Sequence, residues 1–209
     1  YHNIMFALVE SGSITKMLNG NKGITIDGIQ HPRAIYTLWT EAERNALGIY
    51  TVEYDNSNKK DEKWYINTNQ SYAFGSGKVT ATYGTATAKA HADTTWTQEQ
   101  IDDGDAPDGA DTNTVATRGL KYNLIQTVKA QAASELARTD WYITRNAEKS
   151  TAIPSAITTH RDLVRSRQAA METSITNASD TPALETLYTY TTDSDGVHSR
   201  PLGELPTLE

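Results

Sequence analysis

Between residues 120 and 136 an apolar side chain falls at every fourth position: Leu120, Leu124, Val128, Ala132 and Leu136. A stretch with that period has one stripe to bury, and an amphipathic helix is the only regular element that gathers it. A second set, Ile157, Val164, Met171 and Ile175, recurs at helical spacings further on. Two such helices can cover each other, so this half of the chain predicts a helical hairpin. Its elbow is Thr139-Asp140-Trp141-Tyr142-Ile143-Thr144-Arg145. Thr139 or Asp140 can cap a new helix turn by accepting from orphan backbone N–H groups. Trp141 and Tyr142 bring large apolar area to that corner, each with one polar atom that needs a partner.

The first half is patterned differently. Ile4 to Val9 reads as a strand, with Gly12 in the turn after it. Asn19-Gly20 and Asn21-Lys22-Gly23 are turn signals, Ile24-Thr25-Ile26 alternates, and Asp27-Gly28 turns the chain again. Thr40 and Glu43 form a capping box for a short helix that Gly48 ends. Ile49 to Tyr54 returns as a strand. The stretch 55–61 is polar throughout and suits a solvent-exposed loop. Ser71–Phe74 and Lys78–Tyr83 add strand material. The switch from period two to period four predicts an α+β chain, a small antiparallel β module followed by a helical-hairpin module. The expected layout is a β-rich module over 1–85, a linker with an acidic loop over 86–117, a helical module over 118–188, and a hairpin with an extended tail over 189–209.

Chemistry is scarce. Cysteine is absent, which removes disulfides, thiol nucleophiles and Cys-based metal sites. The five histidines, His2, His31, His91, His160 and His198, include no pair at metal-ligand spacing. Glu41 and Glu43 suit capping and the helix dipole better than acid–base chemistry. Gly20 and Gly23 lack the spacing and the Lys-Ser/Thr ending of a phosphate loop. The loop Asp102 to Asp111 carries carboxylates but departs from the EF-hand spacing, and a solvated acidic loop is the simpler reading. Thr97 and Gln100 before it form a second capping box. The net charge of −7 opposes phosphate neutralisation, so no nucleic acid is expected; Arg161, Arg165 and Arg167 read as a solvated or partner-facing helix side. No apolar run reaches the ~20 residues that would span a bilayer, so no membrane insertion is expected, and the first nine residues do not read as a signal peptide.

Two phrases resemble known modules. Leu136-Ala137-Arg138-Thr139-Asp140-Trp141-Tyr142-Ile143-Thr144-Arg145, followed by Ala152-Ile153-Pro154 and His160-Arg161, resembles the "TDWYxxR" helical C-terminal module of bacteriophage tail-region proteins. Trp39-Thr40-Glu41-Ala42-Glu43 through Leu47-Gly48-Ile49-Tyr50 resembles the N-terminal module of XkdW-like phage proteins, and that resemblance implies a β-hairpin between Val52–Tyr54 and Lys63-Trp64-Tyr65-Ile66, joined by the loop 55–61. The resemblance implies a structural component of a phage tail (adaptor, baseplate or fibre-attachment subunit) located in the virion. It implies multiple copies in an assembly with other phage tail proteins as partners. A tail-fibre assembly chaperone that leaves the virion is the alternative, and a glycan-binding tail module the third. No enzyme, catalytic residue or cofactor is expected.

Interface candidates follow from the residues. The chain holds 11 Tyr and 4 Trp against 2 Phe, a balance that suits half-wet surfaces. Burial inside an element accounts for Trp39, Trp64 and Trp141. Trp96 stands in irregular chain, and Trp141 and Tyr142 mark the elbow. The tail carries Leu202 and Leu205 between Pro201 and Pro206, and Leu208 after them. Ordering each residue costs about 1–2 kcal/mol of backbone entropy, so a receiving surface is required. The expectation is that the tail docks on a neighbouring subunit or another tail protein.

Overall fold

The computed structural model describes residues 5–209, and the chain divides into two compact units, Tyr1–Thr87 and Ala88–Glu209. His2 and Ile4 lie outside the described residues. The α+β class is borne out, with sheets in both units and long helices in the second.

In the first unit, β1 (Phe6–Glu10) and β2 (Ser13–Leu18) form a hairpin over Ser11–Gly12. Both turn residues have positive φ, 51° and 78°, the geometry that matches strand twist in a two-residue turn. β3 (Ile24–Ile26) and β4 (Ile29–His31) repeat the device over Asp27–Gly28. Helices α1 (Ile35–Leu38) and α2 (Glu41–Ala46) follow. The Thr40–Glu43 capping box is present in full: Glu43 N donates to Thr40 Oγ1 at 3.2 Å, and Thr40 N to Glu43 Oε2 at 2.8 Å. Gly48, at φ 87°, then delivers the chain to β5 (Ile49–Asp55). Only glycine fits there, because at that φ a Cβ would meet the carbonyl oxygen of Val9, whose N–H donates to Gly48 O at 2.7 Å.

After the short strand β6 (Tyr65–Ile66) come β7 (Gln70–Gly75) and β8 (Lys78–Tyr83), then β9 (Thr87–Ala88). The main sheet runs β2-β1-β5-β8-β7. Here the expected hairpin between Val52–Tyr54 and Lys63–Ile66 does not form. β5 pairs instead with β8, and in parallel, with Val52 opposite Val79 and Tyr54 opposite Ala81. The physical reason is burial. Val79 and Ala81 are fully enclosed against Ala7 and Val52, whereas the 63–66 segment buries Trp64 and Tyr65 outside that cluster and leaves Ile66 59% exposed. β1 lies inside the sheet and is apolar on both faces. Phe6 and Leu8 enter a core with Leu18, Ile24, Ile26, Ile35, Tyr36 and Ile49, while Ala7 faces Val52, Val79 and Ala81.

The second unit begins with an ordered segment. β10 (Thr94–Thr95) pairs with β11 (Val115–Thr117), and α3 (Gln98–Asp102) lies between them behind the Thr97–Gln100 capping box. Residues 90–93 then cap the next helix, α4 (Leu120–Ala137), from outside. Gly119 N donates to Asp93 Oδ1 at 2.8 Å, Leu120 N to Ala90 O, and Lys121 N to His91 O, both at 3.0 Å. Three donors at a helix start that lack an intrahelical acceptor are thereby satisfied. Three further helices follow: α5 (Asp140–Lys149), α6 (Ser155–Asn177) and α7 (Thr181–Tyr188). A two-residue ladder, β12 (Thr191–Thr192) with β13 (His198–Ser199), precedes the tail.

α4 and α6 pack against each other and are antiparallel. Lys121 Nζ reaches Thr176 O at one end, and an Arg161 guanidinium nitrogen reaches Leu136 O at the other. The stripe bears out its expected residues: Val128 and Ala132 are buried on α4, and Ile157, Val164, Met171 and Ile175 on α6. At the connector Thr139 takes the N-cap position of a new helix, as expected, but Asp140–Arg145 is the first part of a separate ten-residue helix and not a tight elbow.

The Asp93 anchor generates a pH dependence. The Gly119 N–H, then the Arg118 guanidinium at 2.9 Å, hold the Asp93 carboxyl below the ordinary aspartate range. A depressed folded pKa contributes stability that is present above the unfolded value and lost as pH falls through the folded one. Asp93→Asn is therefore expected to be less stable than the wild type at pH 7, with the difference closing in strongly acidic solution. Urea denaturation at pH 7, 4 and 2.5 checks this; a difference independent of pH would show that the charge is not what holds the helix start.

Candidate functional site

The C-terminal end of α4, the start of α5 and the first turns of α6 converge on one buried arginine. Arg161 is 8% exposed. Its Nη1 donates to Leu136 O and to Thr139 Oγ1, each at 2.8 Å, and lies 2.9 Å from Asp140 Oδ1. Leu136 O is one of the last carbonyls of α4, which have no N–H in the helix to bind. Beside it, His160 Nε2 sits 3.1 Å from Glu135 Oε1, and the N–H of Leu208 donates to the same oxygen at 3.3 Å. Arg161 and His160 thus form a polar lock between α6 and the α4–α5 corner.

This overturns the reading of Arg161 as a solvated helix-face residue. Arg165 does stay exposed, 3.8 Å from Asp162, and Arg167 donates to Glu204 O at 3.0 Å. It also changes the role of Thr139. Thr139 occupies the N-cap position of α5, but its side chain makes no cap bond and instead donates to Leu136 O at 3.1 Å while accepting from Arg161.

α5 itself has no buried residue. Burial does not account for Trp141, which is 52% exposed, with Ile143 at 42%, while Tyr142 is half-buried. Trp141 and Tyr142 stack with ring centroids 3.7 Å apart at 27°. The Arg145 guanidinium lies 4.8 Å from the Trp141 centroid and 5.4 Å from that of Tyr142, which fixes both rings by cation–π attraction. The far end of α5 closes with Ser150 at φ 55° and with Asn146 Nδ2 donating to Thr151 O at 2.8 Å. The result is a rigid aromatic-and-arginine patch on a helix held by polar contacts at its ends. Such side chains are those that dominate protein interfaces.

The other interface candidates are elsewhere. Trp96 follows β10 and is half-buried, its backbone N–H donating to Thr114 O at 3.1 Å. The tail does not project. Leu202 is buried at 6% exposure and its N–H donates to Leu187 O at 3.0 Å. Leu205 and Leu208 are half-buried. Tyr190 OH donates to Glu204, and Arg200 lies over the rings of Tyr188 and Tyr190. Docking of the tail on a neighbour is thereby corrected: the receiving surface is the chain's own helical unit.

In the acidic loop Asp111 accepts from Asn113 N and from Thr114 Oγ1, and Gly104 and Gly109 take positive φ. Among the described residues no three His, Asp or Glu side chains converge as metal ligands would, and no helix is long and apolar enough to cross a membrane. No family model, curated protein or solved structure matches the chain.

The tail's place in the core is directly testable. Leu202→Ala is expected to destabilise the protein by about 2–5 kcal/mol, as buried Leu truncations do, and deletion of 201–209 to lower the melting temperature of the isolated chain. Differential scanning calorimetry reads both; an unchanged melting temperature in the deletion would place the tail outside the core.

Proposed function

We propose that this chain is a structural component of a bacteriophage tail, an adaptor, baseplate or fibre-attachment subunit present in several copies that acts by protein–protein contact. The observation that carries the reading is the TDWYITR phrase of residues 139–145, the core of the resemblance to phage tail-region modules, in the form of an exposed helix. In that helix Trp141 is exposed and stacks with the half-buried Tyr142 and Arg145. The XkdW-like phrase at Trp39–Tyr50 comes in the expected order before it. The reading assigns the protein no chemical step and no cofactor.

Mass spectrometry of purified particles of the encoding phage tests the proposal. Stoichiometric presence in the tail is the expected result; presence in lysate with absence from particles would replace it with the assembly-chaperone reading. Trp141→Ala is expected to leave the melting temperature within a few degrees of wild type, because the ring is half exposed, while lowering incorporation into particles. Normal incorporation of that variant would remove α5 from the interface.

A further inference from the structure

The loop from Asn56 to Asp61 is polar throughout, yet it is held in one shape. Ser57 N donates to Asp55 Oδ1 at 2.9 Å, and Lys59 N to Asn56 O at 3.0 Å. Asn58 Nδ2 donates to Tyr83 O at 2.9 Å and so ties the loop to the end of β8. Lys60 N donates to Asn67 Oδ1, and Asn67 Nδ2 returns a bond to Lys60 O, both at 2.9 Å. No apolar residue of this loop requires such fixing. A polar surface loop this well bonded is preorganised, which lowers the entropy lost when a ligand binds.

The loop stands where a ligand can be reached from several strands. β5 and β8 run parallel, so both end on the same side of the sheet, at Asp55 and Tyr83. β7 begins there too, with Gln70 paired to Tyr83. A cleft of about 500 Å³ opens at that edge, lined by Tyr54, Asn56, Lys59, Gln70 and Tyr83. Its volume lies within the range of small-molecule sites.

The lining is amphipathic in a particular way. Tyr54 is 44% exposed and lines the cleft, which brings an aromatic side chain to it. Asn56 and Gln70 each carry a donor and an acceptor, and the phenol groups can do either. Lys59 is the one charged residue of the five and lies 5.7 Å from the Tyr83 ring centroid. An apolar ligand would strip water from the two carboxamides and leave them unpaired. A polyanion would find one cation. A pyranose satisfies the set, because its C–H face lies on an aromatic ring while its equatorial hydroxyls both donate to and accept from carboxamides. We propose that this cleft is a saccharide-binding site that takes one or two pyranose units. The proposal rests on the cleft alone and not on the role in a phage tail.

The test is a printed glycan array that includes bacterial surface polysaccharides, probed with the fluorescently labelled full chain, followed by titration of the best saccharide by isothermal calorimetry. Binding to at least one saccharide is expected, weakened at least about tenfold by Tyr54→Ala and, separately, by Gln70→Ala, with circular dichroism confirming that both variants fold. Trp141→Ala is expected to bind as wild type, which separates this site from the α5 patch. No binding on the array, or binding untouched by both cleft variants, would overturn the proposal.

Discussion

The second unit depends on the bonds of one guanidinium. Arg161 is charged at every accessible pH and cannot shed its desolvation penalty by losing a proton. It is tolerated inside because three oxygens from the α4–α5 corner surround it, two from Leu136 and Thr139 and one from the Asp140 carboxylate. Removing one member of such a buried set costs about 3–5 kcal/mol; the low end applies here, because Asp140 is 61% exposed and partly screened. The apolar stripe brings α4 and α6 together, and Arg161 sets where α5 leaves them.

That division of labour explains how α5 can be both ordered and unburied. A helix of ten residues is too short to be stable alone in water, and α5 has no fully buried residue to hold it, only the half-buried Tyr142 and Arg145. Its order comes from the Arg161 bonds at one end and the Asn146–Thr151 bond at the other. The Trp141–Tyr142–Arg145 stack is therefore presented without being spent on the domain's own core. An aromatic patch fixed in advance pays less side-chain entropy on binding than a mobile one, which suits a surface made to meet partners.

Much of this was legible in local pattern. The stripe from Leu120 to Leu136, the set Ile157, Val164, Met171 and Ile175, and both capping boxes are short-range rules, and each forms as written. The parallel pairing of β5 with β8 was not, since Ile66 alternates as well as Val79 does and only the assembled core distinguishes them. The tail was misplaced for the same reason: the surface that receives Leu202 is built from chain far away in sequence. Arg161 did carry a signal. Ile157, Arg161 and Val164 stand at i, i+4 and i+7, which puts the arginine on the buried stripe, whereas charge type alone reads as solvated.

The central claim, that Arg161 holds α5 in place while the helix pair stands without it, is tested most directly by amide hydrogen exchange of Arg161→Met beside the wild type. The account predicts that amides of residues 140–149 lose most of their protection in the variant while the centres of α4 and α6, around Val128 and Val164, keep theirs. Undiminished protection across 140–149 in a folded variant would contradict it.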